Sequence, residues 1–305
     1  MELQKWHGDK PLSYWVKQTD VEQRIVKGRD VVLTQEAHNP RVRSYRDPFG
    51  QRLISLDVTE LETGGASTLH RQLHESTMLI LSGQGHTIAN GKQYSWGPGD
   101  ALQVPLFMWH QHVNTGNEPV RYLRFGTVPF YHYLGLYRAE QLQPPDKGLH
   151  DPRVHDAPLG EVVLIQRKQW QPSTDVHRFI EGYHGAGAGD KGMKTKIGGG
   201  FGPSLVDPGY ASAMHRHWDE AIIYILEGKG FTTINEERYE WEAGDFLCVP
   251  LLFWHRHHVT GNQATIYLRH TSSRFSKYLG IWIITLRPEI PLEEVHKLAG
   301  DYTPF

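Results

Sequence analysis

The stretch Met214-His215-Arg216-His217-Trp218-Asp219-Glu220-Ala221-Ile222-Ile223-Tyr224-Ile225-Leu226-Glu227-Gly228-Lys229-Gly230 sets two histidines one residue apart, then a β-branched and aromatic run closed by a glycine turn. Along a strand, residues i and i+2 share a face, so His215 and His217 point the same way. A third histidine, His255, follows 38 residues after His217. It ends the stretch Gly244-Asp245-Phe246-Leu247-Cys248-Val249-Pro250-Leu251-Leu252-Phe253-Trp254, where a Gly-Asp turn opens a short apolar strand and Pro250 ends it. Three imidazoles suit several divalent transition metals and leave coordination positions open to substrate. The competing reading, ordinary polar residues on a barrel wall, is weakened by a repeat.

The same pattern occurs earlier, in His70-Arg71-Gln72-Leu73-His74-Glu75-Ser76-Thr77-Met78-Leu79-Ile80-Leu81-Ser82-Gly83, offset by 145 residues. The offset persists without a gap through Val104-Pro105 and Val249-Pro250, Trp109-His110 and Trp254-His255, Tyr122-Leu123-Arg124 and Tyr267-Leu268-Arg269, and Tyr133-Leu134-Gly135 and Tyr278-Leu279-Gly280. The chain is a duplicated domain. Its 305 residues suffice for two cores.

Hydrophobic residues at 39% and charged residues at 22% describe a globular chain. A net charge of −2 with no basic block argues against nucleic acid or an anionic membrane as partner. Cys248 is the only cysteine, so no intrachain disulfide forms and a reducing, cytoplasmic location is expected. Its place between Leu247 and Val249 reads as a small core residue rather than a catalytic thiol. Met1 to Gly8 lacks the apolar core of a signal peptide, and the apolar run Leu279 to Leu286 is too short to span a bilayer.

In chain order, residues 1–45 form an arm. Leu12, Trp15, Val16, Val21, Ile25 and Val26 approximate a helical stripe that Gly28 ends, and Val31-Val32-Leu33 reads as a strand. Residues 46–138 are short strands between turn signals such as Gly97-Pro98-Gly99-Asp100, with Asn90-Gly91 a type I′ hairpin signal. This predicts an all-β sandwich or closed barrel. A linker at 139–160 leads to a second barrel at 161–290, with Glu161-Val162-Val163-Leu164-Ile165 as its first strand. The glycine-rich stretch His184 to Gly202 formally contains G-x-G-x-x-G, but it lacks the strand before and the helix after that a dinucleotide site needs, so it reads as a loop over the site. Residues 291–305 hold a short C-terminal helix, with Pro291 first, Glu293 and Glu294 in its first turn and Gly300 after it.

A Gly before His-x-His (Gly209, His215), a strand ending at Gly228, then Gly244-Asp245, Pro250 and His255 resemble the two-part motif of the cupin superfamily. Gly64, His70, Gly83, Gly99, Pro105 and His110 repeat it, with Asn114 four residues on. The resemblance implies a bicupin, two double-stranded β-helix barrels. Many cupins add a glutamate four residues after the second histidine of His-x-His. Here that position is Ala221; Glu220 is one short and on the opposite face without a bulge, and Asp219 is a weaker candidate.

His-Arg-His-x-x-x-Ala, Ile-Leu-Glu-Gly-x-Gly and Trp-His-x-His look most like the gentisate and salicylate 1,2-dioxygenases and their hydroxynaphthoate relatives. Those bicupins are Fe(II) enzymes that open the ring of hydroxylated aromatic acids with O₂, and the likeness suggests a homo-oligomer. Carried over by position, the ligands are His215, His217 and His255, with His257 facing the same cavity as a substrate-contacting or structural group and His258 pointing outward. In that family the intact motif lies in the N-terminal barrel. Here Gln72 and Ser76 replace the second His and the Glu there, so His70, Gln72 and His110 read as a vestigial site.

Three imidazoles on one face of iron leave room for a chelating substrate and O₂. Arg269 and Arg274 are candidate clamps for an anionic substrate, or surface residues; Ile223, Ile225, Phe253 and Trp254 are candidate walls, or simply barrel interior. Manganese, nickel, copper or zinc would fit the same histidines. Lewis-acid isomerisation, decarboxylation or lyase chemistry, and a non-catalytic binding bicupin, are the competing functions.

Overall fold

The computed structural model describes residues 23–37, 39–46, 48–142, 160–169 and 202–286. The expected arm helix before Gln23, most of the linker, the glycine-rich loop and the C-terminal helix lie outside the described residues.

The hairpin signal at Asn90-Gly91 takes the form its chemistry demands, with φ of 48° and 70° joining Gly85–Ala89 to Lys92–Trp96. The second half repeats the turn at Asn235 and Glu236, with φ of 47° and 74°, between Lys229–Ile234 and Glu237–Glu242. Backbone conformation therefore follows the 145-residue offset even where the sequence does not.

Each half builds two antiparallel sheets. In the first, a five-stranded sheet runs Ala139–Leu142, Leu69–Gln72, His110–Asn114, Gly85–Ala89, Lys92–Trp96. Facing it, a seven-stranded sheet runs Val163–Ile165, Ala101–Gln103, Ser76–Ser82, Val120–Gly126, Ser55–Leu61, Asn39–Arg46, Thr34–Glu36. The second half pairs Ile25–Val26, Phe246–Val249, Ala221–Glu227, Thr265–Thr271, Gly202–Val206 with Glu237–Glu242, Lys229–Ile234, His255–Val259, His215–His217, Ile284–Leu286.

Strand patterning explains how the halves join. Met78 and Ile80 face the core of the first barrel, whereas Leu79 between them joins a core shared by both halves. In the second, Ala221, Ile223 and Ile225 face its interior and Ile222 faces the shared core beside Phe246, Cys248 and Leu268. Both faces are buried, so the run is apolar without alternation. Cys248 is fully buried and accepts Gln51 Nε2–H at 2.8 Å, as expected of a core residue.

Three sequence expectations are corrected. Ile25–Val26 is a strand added to the second barrel at Phe246 and Leu247, not the end of a helix. Gly28 sits where a Cβ would lie 2.7 Å from the Gly244 carbonyl oxygen, so it permits a close crossing rather than a helix stop. Conversely, Val163–Ile165, expected to begin the second barrel, pairs with Ala101–Gln103 of the first. The halves thus exchange edge strands, and the Gly-Asp turns receive them: Asp245 Oδ1 accepts Gly28 N–H at 2.8 Å, and Asp100 Oδ1 accepts Arg167 N–H at 2.7 Å. Val31-Val32-Leu33 has no strand partner; pairing begins at Thr34, opposite Ser44. No helix among the described residues is long and apolar enough to cross a membrane.

Candidate metal centre

His215 and His255 are cross-strand neighbours in register, and His217 lies two residues along the same face. Each of the three offers one ring nitrogen, and these lie within 4.8 Å of one another. All three are buried. The Nδ1 of each meets a backbone carbonyl: Ala213 at 2.8 Å for His215, Asp219 at 2.9 Å for His217 and Phe253 at 2.9 Å for His255. A carbonyl only accepts, so Nδ1 carries the proton and Nε2 presents a lone pair.

Burial holds the His215 pKa down to about 3, helped by the neighbouring His217, and holds His217 at about 4. His255 is pushed well below its ordinary value by burial and then by His215 and His217. Three neutral imidazoles with fixed tautomers are a donor set that fits a divalent transition ion and needs no proton removed.

The backbone clamps this arrangement. Leu252 N–H donates to the His217 carbonyl at 3.1 Å, and Leu252 adopts φ of 64°, an uncommon conformation for a bulky residue. Phe107 does the same in the first half, at φ of 59° with its N–H on the Gln72 carbonyl at 2.8 Å.

His257 faces the same interior two residues beyond His255, its ring centroid 5.4 Å from that of His255 and 6.0 Å from that of His215. Its Nδ1 meets Thr232 Oγ1 at 2.9 Å, and Trp241 Nε1–H donates to the same oxygen at 3.0 Å. Its backbone N–H donates to Ser212 Oγ at 2.9 Å. Sequence reading missed Thr232, Trp241 and Ser212. The available signal was their recurrence at Thr87, Trp96 and Ser67, which hold His112 the same way. His258, expected to point outward, stacks on Phe231 at 4.2 Å.

Ala221 is buried in the barrel core. Glu220 turns the other way: its carboxylate accepts the backbone N–H groups of Arg52 and Leu53, each at 2.9 Å, and so ties down a loop of the first half. It is therefore set apart from the three histidines, as the strand alternation predicted. Asp219 lies beside the His217 ring, Oδ1 to Nδ1 3.3 Å, and burial pushes its carboxyl up to about 7.

The positive charge of Arg269 reaches His215, His217 and His257, lowering the pKa of each. Arg274 lies instead on the helix Ser273–Tyr278, where its charge acts on Lys277. Ile223, Ile225 and Phe253 line the barrel core, but Trp254 does not: it lies on the outer face under Arg216, whose guanidinium carbon is 4.7 Å from its ring. The alternation that turns His255 inward turns Trp254 out.

In the first barrel the expected set gains a member. His70 and His110 offer ring nitrogens within 4.8 Å of one another and of His112, and Gln72 lines the same cavity. Trp109-His110-Gln111-His112 repeats Trp254-His255-Arg256-His257 at the common offset, a signal present in the sequence.

The cupin domain family matches this chain twice, at residues 57–126 and 204–269. A gentisate 1,2-dioxygenase from Aquipseudomonas alcaligenes is 31% identical over 252 residues, covering 72% of this chain and 70% of that protein. A 5-aminosalicylate 1,2-dioxygenase from Comamonas is 36% identical over 108 residues, 34% of this chain, and a gentisate 1,2-dioxygenase from Ralstonia is 28% identical over 107 residues, 35% of this chain. The chain spans only 29% and 30% of the lengths of those two relatives. Among solved structures, the salicylate 1,2-dioxygenase of Pseudaminobacter salicylatoxidans superposes with a TM-score of 0.62 at 14% identity, over 78% of this chain and 76% of that one, a likeness of fold. With two cupin domains, an all-β pair of barrels and a likeness to a gentisate 1,2-dioxygenase over most of both chains, the protein belongs to the cupin family as a bicupin of the gentisate dioxygenase type.

Proposed function

We propose that the protein is an Fe(II)-dependent dioxygenase that opens the ring of a hydroxylated aromatic acid, with His215, His217 and His255 as its metal ligands. The observation that carries this reading is the buried trio of neutral histidines, each with Nδ1 anchored and Nε2 available. Relatives named for gentisate and 5-aminosalicylate support the substrate class. Bound iron would supply the path for electrons from an electron-rich ring to O₂ held beside it.

The protein's own groups divide the remaining work. Arg269, whose field reaches the histidines, would attract and orient a carboxylate. Arg274, on its helix beside Lys277, has less support for that role. Trp241 Nε1–H occupies one lone pair of Thr232 Oγ1, and the Thr232 O–H can then donate a hydrogen bond to His257 Nδ1, keeping its proton. With His217 supplying the third ligand, His257 would hold its own proton at Nε2 and donate it to an oxygen of the bound acid. The apolar side chains of Ile223, Ile225 and Phe253 would keep water from the barrel interior. Exposed Tyr133, Leu134, Leu136, Tyr278, Leu279 and Ile281 gather around two helices that touch through Phe130 and Phe275, which supports a homo-oligomer.

The test is oxygen uptake by chain purified and loaded with Fe(II) under anaerobic conditions, offered gentisate, salicylate and 5-aminosalicylate. The expected outcome is consumption of O₂ matched by loss of ring absorbance, abolished by His217→Ala. Turnover that continues without O₂ would replace the reading with Lewis-acid chemistry, and tight binding without turnover would make the protein a binding bicupin.

A further inference from the structure

We propose that the first barrel holds a second metal site, with His70, His110 and His112 as its ligands. The three rings form the same figure as their counterparts in the second barrel. Centroid distances are 4.2, 5.2 and 5.9 Å for 70–110, 110–112 and 70–112, against 4.0, 5.4 and 6.0 Å for 215–255, 255–257 and 215–257. The first site is thus built on the counterpart of His257, where the second uses His217. Gln72 stands where His217 would be, and an amide oxygen is the poorer ligand for a borderline metal.

The outer contacts suit ligation. His70 Nδ1 meets the Thr68 carbonyl and His110 Nδ1 the Met108 carbonyl, both at 2.8 Å, which fixes a lone pair at each Nε2. His112 Nδ1 meets Thr87 Oγ1 at 2.8 Å, and that hydroxyl also accepts Trp96 Nε1–H at 2.9 Å. A hydroxyl oxygen has two lone pairs, so Thr87 can accept from both and leave His112 Nε2 free for a metal. A threonine anchor permits either ring tautomer, which a carbonyl anchor does not. The two barrels can therefore use the same histidine differently: His112 as a ligand where the third histidine is missing, His257 as a donor where it is present.

The surroundings of the first site carry charges of both signs. Arg124 donates to Asp57 at 2.8 Å, in register with it across the sheet, and Glu36 lines the same cavity. One guanidinium facing two carboxylates leaves a site that tolerates a cation. The cavity of about 1180 Å³ that contains the three histidines leaves room for water or a small ligand at the remaining coordination positions.

The experiment is cobalt(II) loading of the metal-stripped full chain, read as metal per chain after desalting and as the visible bands of bound cobalt. Wild type is expected to hold two ions, His255→Ala one, His112→Ala one, and the double variant none. Gln72→Ala should keep two. Circular dichroism checks each fold, and His70→Asn is a second route to the first site if His112→Ala does not fold. A single ion in wild type that vanishes in His255→Ala overturns the proposal, as does equal metal in His255→Ala and the double variant. Failure of the second-barrel assignment looks different: metal unchanged by His255→Ala and abolished by His112→Ala.

Discussion

Thr232→Val isolates what holds His257. Thr232 is fully buried, and its hydroxyl is the oxygen that both Trp241 Nε1–H and His257 Nδ1 meet, at 3.0 and 2.9 Å. Valine fills nearly the same space, so no cavity opens, but two buried polar groups lose their partner. Each costs about 1–3 kcal/mol when left unsatisfied. The methyl group that replaces the hydroxyl returns about 0.8 kcal/mol of burial. The expected loss is therefore about 3 kcal/mol, which for the two barrels unfolding as one unit around their shared core lowers the melting temperature by roughly 6–12 °C. Calorimetry on metal-free protein measures it. Trp241→Phe removes the donor, so the double variant should lose at least about 1 kcal/mol less than the sum of the singles. Cobalt binding by the second barrel should survive Thr232→Val, because His257 is not among its ligands. A melting temperature within about 1 °C of wild type, or strict additivity of the two changes, would refute the reasoning.

Glu220→Ala strands the N–H groups of Arg52 and Leu53, two bonds to a charged acceptor, and should cost about 2–5 kcal/mol in urea unfolding without changing metal content. Loss of metal in that variant would instead make Glu220 a ligand. At Gly230 a Cβ would lie 2.1 Å from the His258 carbonyl oxygen and 2.3 Å from the Trp241 ring, so Gly230→Ala should destabilise by at least about 1–3 kcal/mol and perturb the Trp241 fluorescence. Burial lowers the pKa of His74 to about 3 and of His270 to about 4, below the ordinary 6.5. The unfolded chain takes up these protons first, so their contribution to stability is full above pH 6.5 and falls as pH drops toward 4, by about 1.4 kcal/mol per unit for each. Melting temperatures of metal-free protein should fall from pH 7 to pH 5, and His270→Gln should flatten that slope.

The duplication, the barrel architecture and the shared face of His215 and His217 were legible because each is local: a constant offset, turns set by Gly and Asn, and a side-chain period of two. The same period correctly turned Glu220 away from the histidines, yet it could not show that the carboxylate ties down Arg52 and Leu53, 168 and 167 residues distant. Trp254 was read as a cavity wall because aromatic residues pack in cores; in the fold its alternation with His255 places it under Arg216. The exchange of Ile25–Val26 and Val163–Ile165 between barrels carries no sequence pattern, since any short apolar segment can complete an open sheet edge and the choice rests on which edge the chain reaches. His112 shows the boundary most plainly. Its repeat of His257 was in the sequence, but its meeting with His70 required the register that sets His70 opposite His110, and strand pairing is a property of two distant segments at once.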